Sequence, residues 1–329
     1  MTQVSRRDVA VALGASTIVL ANSAHARDGV GQVATLSPIN QMDIILTDPS
    51  DGRTIKVRLF APPPRQRGKR GFIVFSHGAN SSGELYDAIL APLAASGFVI
   101  AAATHVDSET NPNRALFNQA KVMETRLRDL QILGEMRSDL ARRIGVDARQ
   151  FDANATLIAG HSYGALLALY LVGAGQVPIG TVQGTPAVSA SNPIYRAAIA
   201  ISPPGPMPGF LKAEQFETIA KPILVTTGEK DVLGSFVPEW QMRLSAFEHA
   251  RLAPAFAAIL PDVDHYFGGA LGRLTLPGPP QTQSLLITTQ IASLFARAFG
   301  EKDASALREL TMLTRRPSRY PQLDLRRRN

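Results

Sequence analysis

The chain has 329 residues, of which 45 % are hydrophobic and 19 % charged, a balance that excludes a disordered chain and suits one large α/β core. It has no cysteine, which excludes disulfides, thiolate metal sites and a lipidated N-terminal cysteine together. The formal charge of +7 sits at the ends: 1–26 carries a net +1 and 315–329, with six arginines and Asp324, a net +5, leaving +1 for 27–314, so a nucleic-acid partner is not expected of the nearly neutral body.

The first segment has the three parts of an export signal in order: Ser5-Arg6-Arg7-Asp8, an apolar run over 9–21, and the small-x-small site Ala24-His25-Ala26 before Arg27. Paired arginines ahead of a mild apolar stretch resemble a twin-arginine signal, and the run is too short to span a bilayer permanently. The expectation is that 1–26 is removed and the protein is periplasmic or secreted; an amphipathic N-terminal helix is the alternative. A polar linker over 27–40 then leads to a catalytic domain over 41–300.

Two β-rich stretches, 42–47 and 54–60, are joined by Asp48-Pro49-Ser50-Asp51-Gly52 and read as a hairpin. The basic segment 65–70 reads as a surface loop. From there strands and helices alternate. Apolar strands are expected over 72–76, 98–103, 156–159, 197–202, 223–227 and 255–260. Helices are expected over 84–96, 117–144, 162–172, 239–249 and 282–299. The long one rests on Met123, Leu127, Leu130, Leu133, Leu140 and Ile144 at three- and four-residue spacing. This order predicts an α/β fold with a mostly parallel central sheet, helices on both faces and an antiparallel N-terminal hairpin. The irregular stretches 176–193 and 203–217 follow strands, where such sheets place ligand sites. The segment 301–329, ending with Pro317, Pro321 and Arg326-Arg327-Arg328, reads as a solvated basic tail, with membrane association as a minor alternative.

The stretch IAGHSYGAL, 158–166, puts Ser162 between Gly160 and Gly164, after an apolar strand and before the helical run Ala165-Leu166-Leu167-Ala168-Leu169. Side-chain-free residues on both sides permit a tight strand-to-helix turn that lifts a serine out of the sheet, as in a G-x-S-x-G elbow. A serine hydroxyl is a poor nucleophile without a base in contact, a group to orient that base, and donors for the oxyanion. The elbow therefore predicts an acid and then a histidine after later strands. Gly228-Glu229-Lys230-Asp231 and Pro261-Asp262-Val263-Asp264-His265 supply them, with Asp231 as acid and His265 as base. Glu229 and Asp264 are competing acids. His25 lies in the signal, His105 falls too early in the chain, His249 lies near a helix end, and His161 should point away from its neighbour. The backbone N–H groups of Tyr163 and of Ala79, in the loop Ser76-His77-Gly78-Ala79-Asn80-Ser81, are the expected oxyanion donors, with His77 supporting that loop. Tyr163, Met207, Phe210, Trp240, Tyr266 and Phe267 are candidates to line the substrate pocket, against the alternative that each is core.

The segments FSHGANSSGELYDAILAPLAASGFVIAAATHVDS, GHSYG, GEKD and DVDH resemble the α/β-hydrolase superfamily. Within it the chain is similar to bacterial dienelactone-hydrolase-like and platelet-activating-factor-acetylhydrolase-like esterases, and bacterial cutinases and polyester hydrolases share much of the layout. The resemblance runs over 42–299. It implies a serine hydrolase of small or lipid-like carboxylic esters that uses neither metal nor organic cofactor. The same triad would also serve an acyltransferase, amidase or peptidase. A non-catalytic binding protein on this fold is a further alternative, disfavoured by a complete triad in order.

Overall fold

A computed structural model describes residues 39–62, 68–175, 189–207, 211–273, 278–315 and 322–328. The expected signal, and the linker up to residue 38, lie outside them. Among the described residues nine strands form one sheet, in the order β1 (Asn40–Thr47), β2 (Thr54–Ala61), β4 (Val99–Thr104), β3 (Arg70–Ser76), β5 (Phe151–His161), β6 (Ala198–Ile201), β7 (Ile223–Lys230), β8 (Ala255–Asp264) and β9 (Asp324–Arg328). β1 (Asn40–Thr47) and β2 (Thr54–Ala61) are the antiparallel hairpin. Its turn is held by Asp48, whose carboxylate accepts from the Ser50 backbone N–H and hydroxyl, a side-chain mimic of a backbone turn. β2 runs antiparallel to β4 (Val99–Thr104). From β4 through β3 (Arg70–Ser76), β5 (Phe151–His161), β6 (Ala198–Ile201), β7 (Ile223–Lys230) and β8 (Ala255–Asp264) the pairing is parallel.

β3 and β4 are buried along their whole length, which is why they read as unbroken apolar runs. Alternate residues feed two separate cores. Phe72 and Val74 of β3, with Ala255, Ala257 and Ile259 of β8, face one core; Ile73 and Phe75, with Phe256, Ala258 and Leu260, face the other. The first core is covered by α2 (Val122–Glu135), α3 (Arg137–Arg143), α4 (Tyr163–Leu171) and α5 (Ser245–His249). The second is covered by α1 (Asp87–Ala95), α6 (Thr282–Phe299) and α7 (Ala304–Leu313). The expected architecture of a mostly parallel sheet with helices on both faces is the observed one.

Three elements differ from expectation. The helix expected over 117–144 begins only at Val122, after two short 3-10 turns, and breaks at Met136. Near that break the Tyr195 hydroxyl donates to the Leu130 carbonyl, and Arg137 Nη1 donates to the Gly134 carbonyl over 2.7 Å; side chains entering the helical ladder bend it. The helix expected over 239–249 opens as a 3-10 turn at Trp240–Leu244. The third difference is larger. The segment read as a solvated tail is built into the fold over its described residues. Asp303 caps α7 by accepting from the Ser305 and Ala306 N–H groups, and Ala306, Leu310 and Leu313 join the second core. β9 (Asp324–Arg328) pairs antiparallel with β8 and brings Leu323 and Leu325 into that core. The arginine run masks a period-two leucine pair. On an edge strand, exposed arginines also discourage pairing with another chain. Among the described residues no helix is long and apolar enough to cross a membrane.

Candidate active site

Ser162 stands between β5 and α4 at φ 54° and ψ −120°, a conformation that costs an L-residue about 1–3 kcal/mol. Its surroundings impose it. The Ser162 N–H donates to the Ile201 carbonyl of β6 over 2.9 Å, and its own carbonyl accepts from Ala165 and Leu166 in the first turn of α4. The flanking glycines are required by contact. A Cβ at Gly160 would lie 2.4 Å from the Gly164 carbonyl, and one at Gly164 would lie 2.1 Å from the Ser76 carbonyl oxygen.

The ends of β7 and β8 carry Asp231 and His265 to this point. The Ser162 hydroxyl meets His265 Nε2 at 2.9 Å, and His265 Nδ1 meets Asp231 Oδ1 at 2.7 Å. A carboxylate can only accept, so Nδ1 carries the ring proton and Nε2 is left to accept from the serine. Burial pushes the His265 pKa down, and the Arg243 charge adds to this against the opposing pull of Asp231. Burial favours a neutral Asp231, but the hydrogen bond from His265 and the Arg243 charge outweigh it and hold the carboxyl below its ordinary value. Thr227 Oγ1 donates to Asp231 Oδ2 over 3.1 Å, and Arg243 Nε lies 2.7 Å from Oδ1.

The competing acids are occupied elsewhere or face away. Glu229 is exposed. Asp264 accepts from the Tyr266 and Gly268 N–H groups and so shapes the turn after His265. His161 is buried and points away from the serine. Its Nε2–H donates to the His265 carbonyl over 2.8 Å, and its Nδ1 accepts from the Tyr86 hydroxyl over 2.9 Å. Burial lowers its pKa to about 3, so it is neutral.

The loop after β3 lies against Ser162: a Cβ at Gly78 would be 3.4 Å from the Ser162 Cβ. His77 supports this loop, as expected. Its Nε2 accepts from the His105 N–H over 2.9 Å, which leaves the proton on Nδ1 to donate to the Gly78 carbonyl over 2.6 Å. Ala79 is exposed. Tyr163 is the first residue of α4, where a backbone N–H has no partner within the helix and the helix dipole favours negative charge.

A second relay of the same residue types lies deeper. Ser76 Oγ meets His105 Nε2 at 2.9 Å, and His105 Nδ1 meets Asp129 Oδ2 at 2.8 Å. All three are buried, Ser76, His105 and Asp129 each at 0 % or nearly so, so no substrate can reach them. Arg53 Nη1 donates to Asp129 over 2.7 Å, and the group braces β3 against α2 and the hairpin.

Of the pocket candidates, Tyr266 stands beside the relay, its half-exposed ring 4.7 Å from that of His265. Tyr163 is partly buried and carries the Arg126 guanidinium 4.9 Å from its ring centre. Met207 and Trp240 are partly buried against the first core. Phe210 lies outside the described residues. Phe267 corrects the expectation: it is 1 % exposed and belongs to the second core. The turn after His265 takes Phe267 to φ 52° and directs it inward, where it is a core residue and not a pocket wall.

Sequence reasoning missed Arg126, Arg243 and Tyr86. Arg126 is fully buried in α2, and a signal for it existed. It shares a helical face with Met123, Leu130 and Leu133, so a charge stands on an apolar stripe. Arg243 and Tyr86 gave no comparable signal.

A search among curated proteins finds no match. Residues 73–322, which run from β3 past α7 and include every member of the relay, match the sequence model described as Alpha/beta hydrolase family, and the chain belongs to that family.

Proposed function

We propose that the chain is a serine hydrolase that cleaves carboxylic esters through an acyl-enzyme on Ser162. The observation that carries the reading is the unbroken relay from Ser162 to His265 to Asp231, at 2.9 and 2.7 Å, on a strained elbow. Membership of the alpha/beta hydrolase family supports hydrolysis as the general class. Of that family, the dienelactone-hydrolase-like and platelet-activating-factor-acetylhydrolase-like esterases are the proposed neighbours.

His265 Nε2 takes the hydroxyl proton as Ser162 Oγ bonds to the ester carbonyl carbon. Asp231 accepts from Nδ1–H throughout and stabilises the imidazolium that forms. The carbonyl oxygen gains the negative charge and is held by the Ala79 and Tyr163 N–H groups. The C–O bond to the alcohol then breaks, and His265 returns its proton to the departing oxygen. Water, deprotonated by the same nitrogen, attacks the acyl carbon; the bond from that carbon to Ser162 Oγ then breaks, His265 returns the proton to Oγ, and the acid leaves. Tyr266 flanks the acyl or alcohol group.

The test is hydrolysis of p-nitrophenyl esters from acetate to palmitate by residues 27–329 and by the Ser162→Ala variant. Turnover in the parent and a loss of at least about a thousandfold in the variant supports the reading. Equal turnover in both removes Ser162 from the mechanism. An added alcohol or amine separates hydrolysis from transfer, because a transferase diverts the acyl group to the acceptor. Export by the twin-arginine route is part of the proposal. Replacing Arg6 and Arg7 by lysine should hold the protein in the cytoplasm on cell fractionation, and unchanged export would argue against that route.

A further inference from the structure

Two successive peptides lead from β3 into the loop beside Ser162; the first is held at both its carbonyl and its N–H, the second at its carbonyl. In the first, the His77 carbonyl accepts from Arg126 Nη1 over 2.6 Å, and the Gly78 N–H donates to the Tyr86 hydroxyl over 3.0 Å. In the second, the Gly78 carbonyl accepts from Arg126 Nη2 over 3.0 Å and from His77 Nδ1–H over 2.6 Å. The N–H of that second peptide belongs to Ala79, and it has no acceptor among the described residues. Among the described residues no peptide is cis, so the Ala79 N–H projects opposite to the carbonyl that Arg126 holds.

The guanidinium is itself fixed. Its Nε and Nη2 donate to the two oxygens of Asp107 over 2.8 and 2.7 Å, a two-pronged pairing with little freedom. Asp107 also accepts from the Asn80 N–H over 2.8 Å, on the far side of Ala79. Arg126 packs 4.9 Å from the ring centre of Tyr163, the residue after the elbow serine. One buried ion pair thus holds the backbone of the loop beside Ser162 and packs against the side chain of the residue that follows it. Packing alone does not explain it, since apolar side chains of similar volume commonly replace buried ion pairs without loss of stability.

We propose that Arg126, anchored by Asp107, is a positioning residue for ester cleavage: it orients and polarises the Gly78–Ala79 peptide so that the Ala79 N–H meets the oxygen that becomes anionic when Ser162 attacks. The proposal rests on the serine-hydrolase reading above. Two donors on one carbonyl draw electron density from the peptide and strengthen its N–H as a donor. The benefit falls on the charged tetrahedral state and not on the bound ester, so it appears in kcat.

The experiment measures kcat and KM for a p-nitrophenyl ester, and inhibition by a trifluoromethyl ketone that forms a tetrahedral adduct, in the parent, Arg126→Met, Arg126→Lys and Ser162→Ala. Circular dichroism and thermal melting establish which variants fold. Arg126→Met is expected to lower kcat about a hundredfold and Arg126→Lys about tenfold, with KM within about threefold and ketone affinity falling in step with kcat. Arg126→Lys keeps the charge on a slightly shorter chain with one nitrogen in place of the fork, and it carries the test alone if Arg126→Met does not fold. A folded variant that keeps kcat within about threefold, or whose ketone affinity is unchanged, overturns the proposal. Turnover that survives Ser162→Ala overturns the underlying reading instead, and the proposal falls with it.

Discussion

Removing the Arg243 charge should move the acid limb of the pH–rate profile to higher pH. Arg243 Nε and His265 Nδ1 each lie 2.7 Å from the same Asp231 oxygen, so the guanidinium and imidazole nitrogens are within about 5.4 Å of each other. At about 5 Å and an effective dielectric of about 20, Coulomb repulsion is roughly 3 kcal/mol, or about 2 pH units. The groups facing His265 are Asp231, Arg243, Asp264, His161 and Tyr266. Burial and Arg243 lower its pKa, and Asp231 and Asp264 raise it. Hydrolysis needs the neutral ring, so activity is lost as pH falls through the His265 pKa. Without Arg243 that pKa rises, and the limb moves up by about 1–2 units in Arg243→Met. The variant also strands the Ser202 and Pro203 carbonyls, which now accept from Nη1 over 2.8 and 3.1 Å. It should therefore melt earlier, and the assay belongs at a temperature where circular dichroism shows it folded. Arg243→Lys keeps a charge nearby and should shift the limb less. The measurement is kcat/KM against pH for one p-nitrophenyl ester. A folded Arg243→Met whose acid limb stays within about 0.2 units of the parent would refute the electrostatic reasoning.

Gly164→Ala places a Cβ 2.1 Å from the Ser76 carbonyl oxygen, so the elbow must open; activity is expected to fall at least about a hundredfold, with a Tm loss of more than about 5 °C, by assay and calorimetry. Phe267→Ala is expected to cost about 3–5 kcal/mol in denaturant titration and leave acyl-chain preference unchanged, because the ring fills a core. Leu325→Asp puts a charge where Leu325 is 5 % exposed; it should destabilise by about 2–4 kcal/mol and loosen β9, read as faster hydrogen exchange across 255–259.

Much of the fold was legible because buried parallel strands announce themselves as short apolar runs between helical periods. β3, β4 and β8 are such runs, and each lies where the sequence places it. The order of serine, acid and histidine was legible too, because the elbow fixes where its partners must emerge. The contacts that hold the site were not. Arg126 acts through the carbonyls of His77 and Gly78, nearly fifty positions away, and backbone oxygens leave no mark in a sequence. Arg243 reaches Asp231 from a 3-10 turn that reads as ordinary helix. β9 was hidden for another reason: charge dominates its composition, while only Leu323 and Leu325 report the pairing. Phe267 was misjudged because proximity in sequence to His265 says nothing of direction once the backbone enters the left-handed region.

The central claim is that Ser162 is the nucleophile. The most direct measurement is intact-mass and peptide-mass analysis after reaction with a fluorophosphonate, alongside residual ester hydrolysis. The account predicts one adduct per chain, on the peptide carrying Ser162, with activity lost in proportion to labelling and no adduct in Ser162→Ala. An adduct on another serine that tracks the loss of activity, or full hydrolysis by a chain labelled at Ser162, would contradict it.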